Sequence, residues 1–462
     1  MRHSHPIVKT LVLAVFFVVL GGIAFLYLMR QNIDPSFYLF LESKSGRAVA
    51  NIMGWSVDFE LPPIEIPESE MSDEEIRLKR ELEKRMQRDH PKHQLIMKNG
   101  EVMTGHIVSY DNETITFMER YGKSGELAIR ISRGRVQDVR EVDDLVPTIT
   151  YRDVLLKSEF PDFEFHRTPP YSTITDDNFF RAQKSVKLLQ RLHSEFTATF
   201  GELITRPERG DGIQLVFFIE EKRYRKYADK YAPQLENSSG FYSPKLDRLI
   251  VFNQLTSKQL RETKRELKRR EKLYRRNAST PEEREHVKIW RSDSARTIVH
   301  HAEEQTEFTI RHEGGHQLFF TYGIHSTHHS ENSWLIEGLA VYCEGVRLGD
   351  RLPERVAIIK THIRQGKMIP MDELVNSRSA MGLYVFGSEG RVHLAYAESW
   401  ALVQFLMRPT YRAKFFAYIR YVRNLENLDQ LSSPTRFHTL ANAMGLEPTQ
   451  LEQKWMLYLQ RL

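Results

Sequence analysis

The chain has 462 residues, 41% hydrophobic and 27% charged, enough apolar mass for folded cores and too much chain for one ordinary domain. Lys and Arg total 66 against 61 Asp and Glu, a net +5 too mild to imply nucleic-acid binding. A single cysteine, Cys343, excludes an intrachain disulfide framework and cysteine-rich zinc modules, so a metal would rest on carboxylates and the 18 histidines.

Residues 1–9 form a short tail. From Thr10 to Met29 no charged residue occurs, and a helix of about 20 residues rises about 30 Å, the thickness of a bilayer's hydrocarbon core. A cleaved signal peptide would end in small residues, whereas Phe25, Leu26, Tyr27 and Leu28 stand there, so a retained anchor over 10–29 is expected. Arg2 and Lys9 precede the run and Arg30, Lys44 and Arg47 follow it, nearly a tie under the positive-inside count. The expectation is a single-pass protein of a bacterial inner membrane with its bulk in the periplasm, because a eukaryotic ectodomain of this size would usually carry disulfides.

Residues 30–92 read as a connector, extended around Pro62, Pro63 and Pro67, followed by a charged helix that opens on a capping box from Ser72 to Glu75. That helix is expected to be a solvated stalk. Over 93–145 the hydrophobic period changes to two. Asn99-Gly100 marks a hairpin, and further turns divide the segment into five short strands. A small SH3-like or Sm-like β-barrel is expected there, as a spacer or a peptide-binding module. Residues 146–256 mix a helix over 176–200, a buried strand run at 212–220, a helix over 220–232 and a strand pair over 240–253. Residues 257–296 form a charged helical insertion, with ten Lys or Arg and three Glu between Ser257 and Arg276. It reads first as a solvated arm, with contact to anionic lipid headgroups by 257–276 as the alternative.

The chemistry lies in 297–462. His312-Glu313-Gly314-Gly315-His316 is an H-E-x-x-H. On a helix, positions four apart face the same way, so both imidazoles can reach one ion while Glu313 stays beside it without ligating. Glu337, 21 positions after His316, lies in a second helical pattern that runs from Ser333 to Glu344. A hydrolytic zinc site needs three protein ligands and one open position, and His312, His316 and Glu337 supply them.

HEGGH followed by WLIEGLAVYCE resembles the gluzincin (peptidase MA-like) zinc metallopeptidases, closest to uncharacterised membrane-anchored bacterial members. Tyr396-Ala-Glu-Ser399-Trp400 and the C-terminal NAMGLEPTQLEQKWMLYLQ are also similar to that group. The resemblance covers roughly 150–462. It implies an α/β lobe, a helical lobe and zinc (Zn2+) in the cleft between them, so the fold class expected for the whole chain is α+β and multidomain. One departure is Val341, where thermolysin-like members place a carboxylate that accepts an imidazole N–H. Glu344 or Glu398 could serve instead. His325, His328 and His329 are read as exposed loop residues, His300 and His301 as too far along the helix to ligate, and Cys343 as a core residue of the second helix. Glu313 is the expected general base, and Tyr396 the oxyanion donor with His393 in reserve.

The expected function is a membrane-anchored zinc peptidase acting on peptide or protein substrates. No G-x-M-E-N stretch precedes HEGGH, which leans toward endopeptidase. The alternatives are a catalytically inactive scaffold of the same fold that binds envelope partners, and a zinc hydrolase of a cell-wall amide.

Overall fold

The computed structural model describes residues 63–462 except 101, 122–124, 143–145, 177–178, 207–211, 233–237, 327–331, 378–388 and 426–434. The expected anchor at 10–29 lies outside the described residues, as do His328 and His329. Among the described residues no helix is long and apolar enough to cross a membrane.

Among the described residues the fold is α+β, with two five-stranded sheets and a helical C-terminal half. Helix α1 (Asp73–Asp89) starts at the expected capping box, where the Ser72 amide donates to Glu75 at 2.7 Å and the Glu75 amide to Ser72 at 3.3 Å. It is not a solvated stalk. Met71 and Leu82 are buried with Ile149, Val154 and Phe165, and Ile76, Leu78 and Met86 pack against them. These positions make an apolar stripe beside helix α2 (Tyr151–Glu159), and the Tyr151 hydroxyl donates to Glu75 at 3.1 Å.

Strands β1 (His93–Met97), β2 (Val102–Tyr110), β3 (Thr114–Tyr121), β4 (Gly125–Ser132) and β5 (Val136–Glu141) form an antiparallel sheet in the order β4-β3-β2-β1-β5. The five strands are those expected, but they do not close into a barrel. Its core is Leu95, Met97, Ile115, Phe117 and Ile131. After Val136, β5 is exposed throughout, so it brings no second apolar side chain inward to seal against β4.

The second sheet, β6 (Glu164–Thr168), β7 (Tyr171–Thr175), β8 (Ile213–Phe218), β9 (Gly240–Ser243) and β10 (Arg248–Phe252), has the order β6-β7-β8-β10-β9. The three central strands are parallel and both edge strands antiparallel. Every residue of β8 is buried, as befits a central parallel strand. Helix α3 (Phe179–Phe200) links β7 to β8 and lays Leu189, Leu192, Phe196 and Phe200 into the main core. Helix α4 (Glu221–Tyr231) falls largely in residues 222–238, which belong to a different compact unit from 62–221 and 239–462. Within that stretch Arg225 donates to the Ser238 carbonyl at 2.8 Å.

Helix α5 (Lys258–Asn277) turns directly into α6 (Pro281–Thr321), whose N-terminus is set by Thr280, Pro281 and a capping box to Glu283. Helix α6 runs unbroken through 296/297, so the second part of the charged segment shares a 41-residue helix with the H-E-x-x-H, while its first part is the separate helix α5. Then follow α7 (Ser333–Tyr342), α8 (Pro353–Gln365), α9 (Met371–Asn376), α10 (Glu389–Leu406), α11 (Arg412–Arg423), α12 (Thr435–Met444) and α13 (Pro448–Gln460). One continuous core runs from Tyr171 and α3 through Leu318 and Trp334 to Trp400 and Trp455.

Candidate metal centre

The centre is built where α6, α7 and α10 meet. Two glycines inside α6 cost helix stability, about 1 kcal/mol each, and the packing accounts for both: a Cβ on Gly314 would lie 2.6 Å from Leu189 Cδ2 of α3. A Cβ on Gly315 would lie 3.0 Å from Cys343 Sγ and 3.5 Å from Ala340 Cα, so its absence lets α6 and α7 approach. Across α7, a Cβ on Gly338 would stand 2.7 Å from the Ser399 carbonyl oxygen, so its absence lets α10 approach as well.

This approach brings His312, His316 and Glu337 together, with one ligand atom from each lying within 4.8 Å of the others. Glu337 Oε2 is 3.4 Å from Nε2 of both His312 and His316, yet it is buried and satisfied by no hydrogen bond. Burial opposes ionisation of Glu337, but the facing His316 and His312 outweigh it and hold the carboxyl far below the usual range. Burial would likewise lower His312, but interaction with Glu337 and Glu344 raises its imidazole to about 10. An orphaned carboxylate oxygen facing two imidazole nitrogens, in surroundings that favour positive charge between them, fits a divalent cation with borderline N/O preference.

The groups around the triad sort the remaining candidates. His312 Nδ1 lies 2.8 Å from Glu344 Oε1, so Glu344 is the imidazole's partner. Helix α7 ends at Tyr342, and the turn after it swings Glu344 inward. Arg355, on the first turn of α8, donates to both Glu344 oxygens at 3.1 Å. Glu398 does not take part: its Oε1 accepts the Ile369 amide at 2.9 Å, and burial, then nearby Glu373, pushes the carboxyl up to about 8. Tyr396 reaches the site, with its ring centroid 6.2 Å from that of His312. Burial, and then the charges of Glu337 and Glu313, push its hydroxyl well above the ordinary value. His393 is exposed on α10, and among the described residues no contact joins it to the triad.

Glu313 is held from the sheet side. Its Oε2 accepts the backbone N–H of Tyr242, on edge strand β9, at 2.9 Å. Burial pushes this carboxyl up against the opposing pull of His312 and His316. Tyr242 is itself pinned, because its hydroxyl donates at 2.9 Å to Asp247, which also accepts from Arg152 and Thr321 at 3.0 Å. No sequence pattern singles out Arg355 or the Tyr242 amide, since neither belongs to the motif or shares its helices. His325, expected in solvent, is buried against Phe319 and Phe320, its amide tied to the Phe319 carbonyl at 2.9 Å. His300 and His301 are exposed and face Glu304. Cys343 is buried just past the end of α7, and burial pushes its thiol up to about 12.

Fold and site together define an α+β protein with a His2Glu group able to hold a metal ion. A family model described as "Protein of unknown function (DUF1570)" matches residues 307–429, the stretch that carries His312, Glu313, His316, Glu337, Glu344 and Tyr396. No curated protein matches the chain.

Proposed function

We propose that this protein is a zinc-dependent peptidase, held at a membrane by its N-terminal segment and cutting within protein substrates. The reading is carried by the convergence of His312, His316 and Glu337, with the non-ligating carboxylate of Glu313 beside them. Nε2 of both histidines and Oε2 of Glu337 would hold the ion, leaving room for substrate because no fourth side chain joins the group among the described residues. A bound zinc ion supplies Lewis acidity that polarises a peptide carbonyl and acidifies water.

The protein's own groups supply the rest. Glu344 accepts the N–H at His312 Nδ1, which turns the Nε2 lone pair toward Glu337 and His316. Glu313, aligned by the Tyr242 amide, takes the proton from the attacking water and returns it to the leaving amine. Tyr396, whose hydroxyl stays protonated at neutral pH, donates to the oxyanion.

Glu313→Gln should keep the zinc content of the wild type and lower cleavage of a denatured protein substrate by about 10²–10⁴-fold. A variant that cleaves as fast as wild type removes Glu313 from the reaction. A zinc-loaded wild type that cleaves no peptide bond turns the reading to a scaffold.

A further inference from the structure

Helix α5 has no part in that chemistry, and one side of it carries cations alone. At 3.6 residues per turn, Arg261, Arg265, Lys268, Lys272 and Arg276 fall within an arc of about 80° and a length of about 22 Å. All five are exposed. Two of the three acids of α5 are paired with other cations, and the third, Glu262, is exposed beside the stripe. Glu266 pairs with Arg269 at 2.8 Å and Arg270 at 3.0 Å, while Glu271, on the side packed against α6, holds Arg275 at 3.1 Å and Arg291 at 2.9 Å. Among the described residues no carboxylate pairs with any of the five cations. Like charges four residues apart repel and weaken a helix, so the stripe persists against its own repulsion.

One large apolar side chain is exposed beside the stripe. Leu273, one turn from Arg269 and Arg276, is 55% exposed, and Ile289 on the facing helix is 52% exposed. They lie at the level where Tyr274 and Trp290 pack edge to face at 4.8 Å. A single-helix band of Lys and Arg with an exposed leucine beside it matches what a lipid headgroup layer accepts.

We infer that the α5 stripe docks on an anionic membrane surface, its five cations among the headgroups and Leu273 dipping between them. The inference is independent of the peptidase reading. An uncharged run at 10–29 in the sequence would keep the chain near a bilayer, so the stripe has only to orient it.

Each cation close to an anionic surface raises partitioning about fivefold. The test uses the full chain carrying Leu273→Cys, labelled with an environment-sensitive fluorophore. Cys343 stays unlabelled because it is buried and its thiol is pushed up to about 12. In vesicles of phosphatidylcholine mixed with phosphatidylserine, emission should shift to the blue, and high salt should reverse the shift. Neutralising Arg265, Lys268 and Lys272 to Gln should lower the docked-to-free ratio about a hundredfold. Equal emission in pure phosphatidylcholine and mixed vesicles overturns the inference, as does an unchanged response in the triple variant. A stronger response to duplex RNA or DNA than to anionic vesicles would also overturn it, in favour of nucleic acid.

Discussion

Over residues 281–300, α6 is almost wholly solvent-facing and is tied to α5 by the Glu271–Arg291 ion pair and the Tyr274–Trp290 ring contact. Over residues 309–321 the same helix is buried against α3, β10 and α7, and its charged groups are paired. Arg311, for example, reaches Glu195 at 3.1 Å and the Cys343 carbonyl at 2.7 Å. One backbone hydrogen-bond ladder thus crosses two environments. In the first, each contact is worth little and can be lost singly. In the second, helix-to-helix distance decides whether three ligands meet, so packing and function are the same problem.

The largest effect comes from removing a ligand. His316→Ala should leave the protein folded and abolish stoichiometric zinc binding, measured as metal retained after dialysis. Full zinc content in that variant would dismiss the centre. Next in size, Gly315→Ala should destabilise by about 1–3 kcal/mol in denaturant unfolding, because the added methyl meets Cys343 at 3.0 Å. The same variant should make Cys343 react measurably faster with an alkylating agent at pH 8 than in the wild type, where burial shields it and pushes its thiol up to about 12. The smallest effect belongs to the exposed half. Trp290→Ala should cost about 1 kcal/mol and leave zinc content unchanged. A loss of metal there would mean that the two halves are coupled after all.

Much of the fold was legible where the sequence pattern is local. The three-and-four spacing of apolar residues marks α3, the continuous apolar run marks β8, and Asn99-Gly100 places the β1–β2 turn. Strands β6 and β7 left no clear signal. Each has only five residues, and their buried polar groups, Ser172, Thr173 and Arg167 among them, mask the pattern that a core strand usually shows. The barrel expectation failed on its last strand, where strand propensity was right and side-chain polarity forbade closure. The stalk expectation failed because α1 has few apolar positions, yet they align on one side.

The residues of the centre divide in the same way. That His312 and His316 can share a target follows from helical periodicity alone, since four residues are nearly one turn whatever the helix packs against. That Glu344 and not Glu398 supports His312, that Arg355 backs Glu344, and that an amide of β9 steadies Glu313 are set by how α6, α7, α8 and β9 come together. Those distances join residues 11, 32 and 71 positions apart. They depend on the volumes of buried side chains and on two missing methyl groups at Gly315 and Gly338, quantities that no local pattern of residue types records.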